Sequence, residues 1–191
     1  MLTYTREVML SRMLLVPDLI TLYQAQDPAF MNAALLWMND TEAALKQLRH
    51  PLASQCSSQR AKLLAAVDGV QADGQLGGSP HSRKAARAAA ALCLSHVEGA
   101  LRQKVSELDG QLQTATEKMA QLLALGSARQ PLPLPPTEPR AAWLRQVWGQ
   151  LGQASESRHL HGYLSALLSA SDREAVLDDT LSQLIDALPA A

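Results

Sequence analysis

From His81 to Leu125 the chain runs for 45 residues without a proline, and its apolar positions keep a single phase. Arg83, Arg87, Ala90, Leu94, Val97, Leu101, Val105, Leu108, Leu112, Ala115, Met119 and Leu122 follow one another in steps of three and four. An α-helix places residues so spaced along one face. A helix of this length spans about 65 Å at 1.5 Å per residue. Its stripe is covered most simply by other helices laid alongside it. Two steps of four in succession, Val97 to Leu101 to Val105, interrupt the heptad and locally relax left-handed supercoiling. Asp109 and Gly110 form a turn dipeptide, so two antiparallel helices folding back there are the rival reading. Continuity is favoured, because Leu108 and Leu112 stay in phase across the dipeptide and a hairpin gives no reason for that.

The rest of the chain agrees. Its apolar residues, 47% of the total, are mainly Leu and Ala, and aromatics are 4% with a single Phe. These are helix formers, and no Val, Ile, Thr and aromatic cluster is long enough to argue a strand. The expected fold class is all-α: a helical bundle with one long central helix, about 81–125, and shorter helices packed on it. The expected organisation is a bundle over 1–126, a Pro-rich linker over 127–139, and a C-terminal helical segment over 140–191 that packs on the bundle or forms a small subdomain.

Breaker residues mark the shorter helices. The first, from about Thr5 to Gln24, carries Val8 or Met9, Met13, Val16, Ile20 and Tyr23 but contains Pro17, so a kink or two short helices meeting near Val16 are expected. Asp27 followed by Pro28 reads as an N-cap with proline at the first helical position. The helix behind it carries Phe30, Ala34, Trp37 or Met38, Thr41, Leu45 and Leu48, up to Pro51. A third helix is expected from Ser54 to Val70, with Cys56, Gln59, Leu63, Ala66 or Val67, and Val70 on its face. Glycines and proline between Asp73 and Pro80 make a turn or loop. Gly126 is a plausible helix C-cap. After the prolines 131, 133, 135, 136 and 139, Ala141, Leu144, Trp148 and Leu151 mark a short helix, with Trp143 and Val147 widening its face. His159 to Leu168 forms another. Ser171 to Glu174 fits a capping box for the last, whose stripe is Leu177, Leu181, Leu184, Ile185 and Leu188.

Chemistry is scarce. Seventeen basic and 18 acidic residues leave a net charge of −1, so no global field attracts nucleic acid or an anionic membrane. No run of about 18 apolar residues can cross a bilayer, and no leader peptide is evident. Cys56 and Cys93 are expected as buried thiols. His159 and His161, two apart on a helix, point away from each other and chelate poorly. Glu156 and His159 give a single Glu-x-x-His without the second copy that di-metal bundles use. Cys93 and His96 can meet on one helix face, but a thiol packed among Ala and Leu is inert. Gly77, Gly78 and Ser79 lack the lysine of a phosphate loop. No catalytic residue, metal ligand or cofactor is expected. The run Pro131 to Pro136 reads as a stiff connector, with recognition by a peptide-binding domain as its alternative.

Arg83, Lys84 and Arg87 are the candidate partner-binding residues. They sit on the upstream extension of the seam and oppose the helix dipole. Arg83→Glu with Arg87→Glu is expected to leave helicity intact and abolish binding. The expected function is therefore a non-enzymatic, cytoplasmic helical interaction or scaffold protein, whose partner is another protein or a second copy pairing through the seam as a homodimer. Two alternatives stand beside it: a nucleic-acid-associated regulator using the basic 83–87 end, disfavoured by the charge balance, and a small-ligand-binding bundle.

Overall fold

The computed structural model describes residues 1–67, 83–129, 131–133 and 140–186. Among them are eight α-helices and no strand: α1 (Leu2–Met13), α2 (Val16–Gln24), α3 (Phe30–Gln47), α4 (Leu52–Val67), α5 (Arg83–Arg129), α6 (Arg140–Leu151), α7 (Arg158–Leu167) and α8 (Ala170–Asp186). The chain divides into two compact units, one of Thr5–Ser106 and one of Met1–Tyr4 with Glu107–Ala191. Val70, the loop from Asp73 to Pro80, His81, Leu134 to Pro139 and Leu188 lie outside the described residues.

The long helix is continuous. Asp109 and Gly110 are both exposed and helical, with the seam on the other side. Helix α5 extends 47 residues, past the expected C-cap at Gly126. That glycine has a different role. A Cβ there would stand 2.3 Å from Cδ2 of Leu151, so the absence of a side chain lets α5 and the end of α6 approach closely.

In the unit Thr5–Ser106, α3 packs on α2 and α4. Val97, Ala100 and Leu101 of α5 meet Leu45, Leu52 and Cys56 around a void of about 10 Å³, too small to hold a water molecule comfortably. Pro17 separates α1 from α2 as expected, entering α2 within its first turn, where its missing N–H costs nothing. In α2 Leu19 is buried where Ile20 was expected, and Ile20 is 44% exposed. The Asp27 carboxylate accepts the Ala29 N–H at 2.7 Å, and regular helix begins only at Phe30. Helices α2 and α3 end alike. Gln26 and Arg49 take left-handed φ of 55° and 51°. Behind them Asp27 N–H donates to the Leu22 carbonyl and His50 N–H to the Leu45 carbonyl, at 3.0 and 2.9 Å. This is the six-to-one closure of a Schellman motif. Trp37 is buried and its indole N–H donates to the Arg12 carbonyl at 2.8 Å.

The second core gathers Ala115, Met119, Leu122 and Leu123 of α5 with Trp143, Leu144, Val147 and Leu151 of α6, Leu164 of α7, and Val176, Leu177 and Leu181 of α8. The described part of the proline run lies on this unit. Leu132 packs against the core, Trp143 Nε1 donates to the Pro133 carbonyl at 2.9 Å, and Gln150 Nε2 donates to that of Pro131 at 3.3 Å. The cap of α8 sits two residues earlier than the sequence suggested. Ser169 Oγ accepts the Asp172 N–H at 3.2 Å and donates to its carboxylate at 2.6 Å, so the capping serine is Ser169 rather than Ser171.

Candidate functional site

Helices α6 and α8 pack together in the second unit, and their facing surfaces leave a groove of about 290 Å³ lined by Leu144, Arg145, Trp148, Ala170, Arg173, Glu174 and Leu177. The spacing explains the lining. Leu144 and Trp148 are four apart on α6, while Ala170, Arg173 and Leu177 step by three and four along α8. Leu144 and Leu177 are core residues whose outer edges form the floor. Trp148 is half-buried and forms a wall.

Trp148 is held in place by its neighbours. The His161 ring stacks on it with centroids 4.2 Å apart and planes 27° apart, and the Arg173 guanidinium lies 5.2 Å from its centroid. Stacking of this kind restrains an aromatic ring. Gly152 makes room for the imidazole, since a Cβ there would stand 2.8 Å from His161 Cε1. His161 Nε2 is buried with no hydrogen-bond partner among the described residues. Burial lowers the His161 pKa, a hydrogen bond to the Trp148 backbone opposes that, and the Arg173 charge lowers it further. Burial thus favours the uncharged imidazole, which serves as a flat packing surface against Trp148. On the rim, Arg145 Nη1 lies 3.4 Å from Glu174 Oε1, and Arg173 Nη1 reaches Ser165 Oγ at 3.5 Å.

Below the head of α8, Asp172 is 2% exposed. Its Oδ2 accepts the Leu2 N–H at 2.8 Å and its Oδ1 the Thr3 N–H at 3.1 Å, with the Met1 α-ammonium 3.0 Å away. Burial pushes its pKa up, but the Ser169 hydroxyl, the Leu2 N–H, the Met1 ammonium and the Thr3 N–H together hold it below the usual carboxylate range. The carboxylate caps the start of α1 and is not accessible for chemistry.

The basic cluster separates. Arg83 and Lys84 are exposed. Arg87 is half-buried and engaged within its own unit: its Nη1 donates to the Asp27 carbonyl at 2.6 Å, its Nη2 to the Tyr23 carbonyl at 3.1 Å, and its guanidinium lies 5.7 and 5.3 Å from the Tyr23 and Phe30 rings. It closes the C-terminus of α2, where a cation also suits the dipole. Arg87→Glu therefore perturbs the fold, and Arg83→Glu with Lys84→Glu is the cleaner probe of that end. Arg102 pairs with Glu98 one turn away on α5.

The remaining candidates do not converge. His159 is exposed while His161 packs on Trp148; Cys93 is buried while His96 is exposed. Both thiols are free and buried. Burial, and then the Glu42 carboxylate, pushes Cys56 up to about 11, and burial raises Cys93. No group of three metal-ligating side chains occurs among the described residues, and no described helix is long and apolar enough to cross a membrane.

Two features escaped the sequence reading. Glu42 is 3% exposed, held by Lys46 Nζ at 2.6 Å and Arg60 Nε at 2.8 Å; those hydrogen bonds lower its pKa. Its only signal was the Glu-to-Lys spacing of four. The groove had no signal beyond a tryptophan on a widened apolar face, because it depends on how α6 meets α8. Comparison with known proteins found no matching family model, no matching curated protein and no matching solved structure.

Proposed function

We propose that this chain is a non-enzymatic interaction protein that binds another protein through the α6–α8 groove. The observation that carries the reading is Trp148, stacked on His161 and Arg173 beside an apolar floor. Tryptophan and arginine are the side chains most enriched where binding energy concentrates, and the ring is already fixed in place, which reduces the entropy lost on association. Self-association through the α5 seam has less support: Ala90, Leu94, Val97, Leu101, Leu108, Ala115, Met119 and Leu122 are already buried within the chain. The proposal includes a cytoplasmic setting, in keeping with two thiols that remain unbridged.

The test is a comparison of the full chain with its Ala170→Trp variant. Ala170 is exposed at the first turn of α8 and lines the groove, so an indole there fills it without entering the core. Proteins recovered on the wild-type chain and lost on the variant, with unchanged thermal melting, support the reading. An identical set on both removes the groove from it.

A further inference from the structure

The groove has a lopsided rim. Two guanidinium groups, Arg145 and Arg173, face one carboxylate, Glu174. The Arg145–Glu174 contact is 3.4 Å, long for a charge-assisted bond, and the Arg145 side chain is 64% exposed. Arg173 sets its guanidinium carbon over the Trp148 ring, 5.2 Å from the centroid, and among the described hydrogen bonds only the 3.5 Å contact to Ser165 engages its N–H groups. A guanidinium stacked on an aromatic ring keeps its in-plane N–H fork available for a carboxylate. The floor between them is apolar and its walls are two helices.

We propose that the groove recognises an acidic amphipathic helix. An apolar side chain the size of Leu or Phe is inserted over Leu144 and Leu177, and an Asp or Glu one turn away pairs with Arg173 or Arg145. This rests on the protein-binding reading above and adds the chemistry of the partner. The described residues offer no sheet edge for an extended peptide to join, whereas a helix aligns residues three and four apart along such a channel. The volume of about 290 Å³ takes one or two large side chains. The net positive rim selects among apolar helices by the sign of the flanking charge.

The experiment uses a random peptide library displayed on phage and selected against the full chain, followed by calorimetric titration of the enriched peptides. Enriched sequences should place an apolar residue three or four positions from Asp or Glu. Affinity should fall about tenfold or more in Arg173→Glu and recover when the peptide carboxylate is exchanged for lysine. A merely structural role of Arg173 would give no such recovery. Should Arg173→Glu melt early, the exposed Arg145→Glu carries the same charge exchange. Peptides that are blocked by Ala170→Trp yet indifferent to rim charge and to salt would overturn the acidic assignment and leave the protein-binding reading standing. No enrichment, or binding untouched by Ala170→Trp, would overturn both.

Discussion

Asp172 carries more of the fold than its place in the sequence suggests. One buried carboxylate serves the Ser169 hydroxyl, two backbone N–H groups of α1 and the Met1 ammonium. Asp172→Ala leaves those donors facing a void, and a loss of about 3 kcal/mol in urea unfolding is expected. The pH dependence has a definite sign. The folded pKa lies below the unfolded one, so below roughly pH 4, where a free Asp titrates, the unfolded chain binds a proton that the folded chain resists. The contribution is complete above that pH and declines as pH falls towards the folded value. The stability gap between wild type and Asp172→Ala should therefore narrow between pH 5 and 3; a constant gap would mean that shape, not charge, is what the site uses. Gln26 and Arg49 give the opposite expectation. Both are exposed and left-handed, a conformation that costs a side chain about 1 kcal/mol relative to glycine. Gln26→Gly and Arg49→Gly should each raise the melting temperature, and alanine at either position should not.

Two glycines of α5 make a matched test of what holds the helix. Gly110 has nothing within 4 Å of its virtual Cβ, so Gly110→Ala should stabilise by up to about 1 kcal/mol. Gly126 stands against Leu151, itself 1% exposed. There overpacking outweighs helix propensity, and Gly126→Ala should destabilise by about 1–2 kcal/mol in the same denaturation assay. Both at once gain from alanine only if α5 and α6 are not in contact at Leu151. The pair also shows what the sequence made legible. Period and phase revealed the α5 stripe from Ala90 to Leu122, the break at Pro17 and the faces of α3 and α6, because these follow from side-chain spacing within one helix. The role of Gly126, the burial of Glu42 and the tether of Arg87 to Tyr23 and Asp27 each depend on a second helix. The cap of α8 went to Ser169 because Asp172 is occupied from both sides, a contest that Ser171 and Glu174 could not reveal.

Across the molecule the three tryptophans report on different places. Trp37 and Trp143 are 4% and 6% exposed and donate their indole N–H groups to backbone carbonyls, while Trp148 borders the groove. Acrylamide should quench one emission component, and Trp148→Phe should remove it. Equal loss of that component in Trp37→Phe would place the accessible ring elsewhere. A groove ligand should protect Trp148 alone. The near balance of charge means that any such ligand is recognised locally, at the α6–α8 rim, rather than by a long-range field. The bond between Asp172 and residues 2 and 3 also orders events in time. A ribosome releases a chain from its first residue onward, so residues 5–106 are complete, with their own apolar interior, well before position 172 has been made. The opening residues wait some 170 positions for the carboxylate that receives them, and separation on that scale slows closure. The unit of residues 5–106 can mature during translation before Asp172, which ties down the start of the unit that bears the groove, has been made.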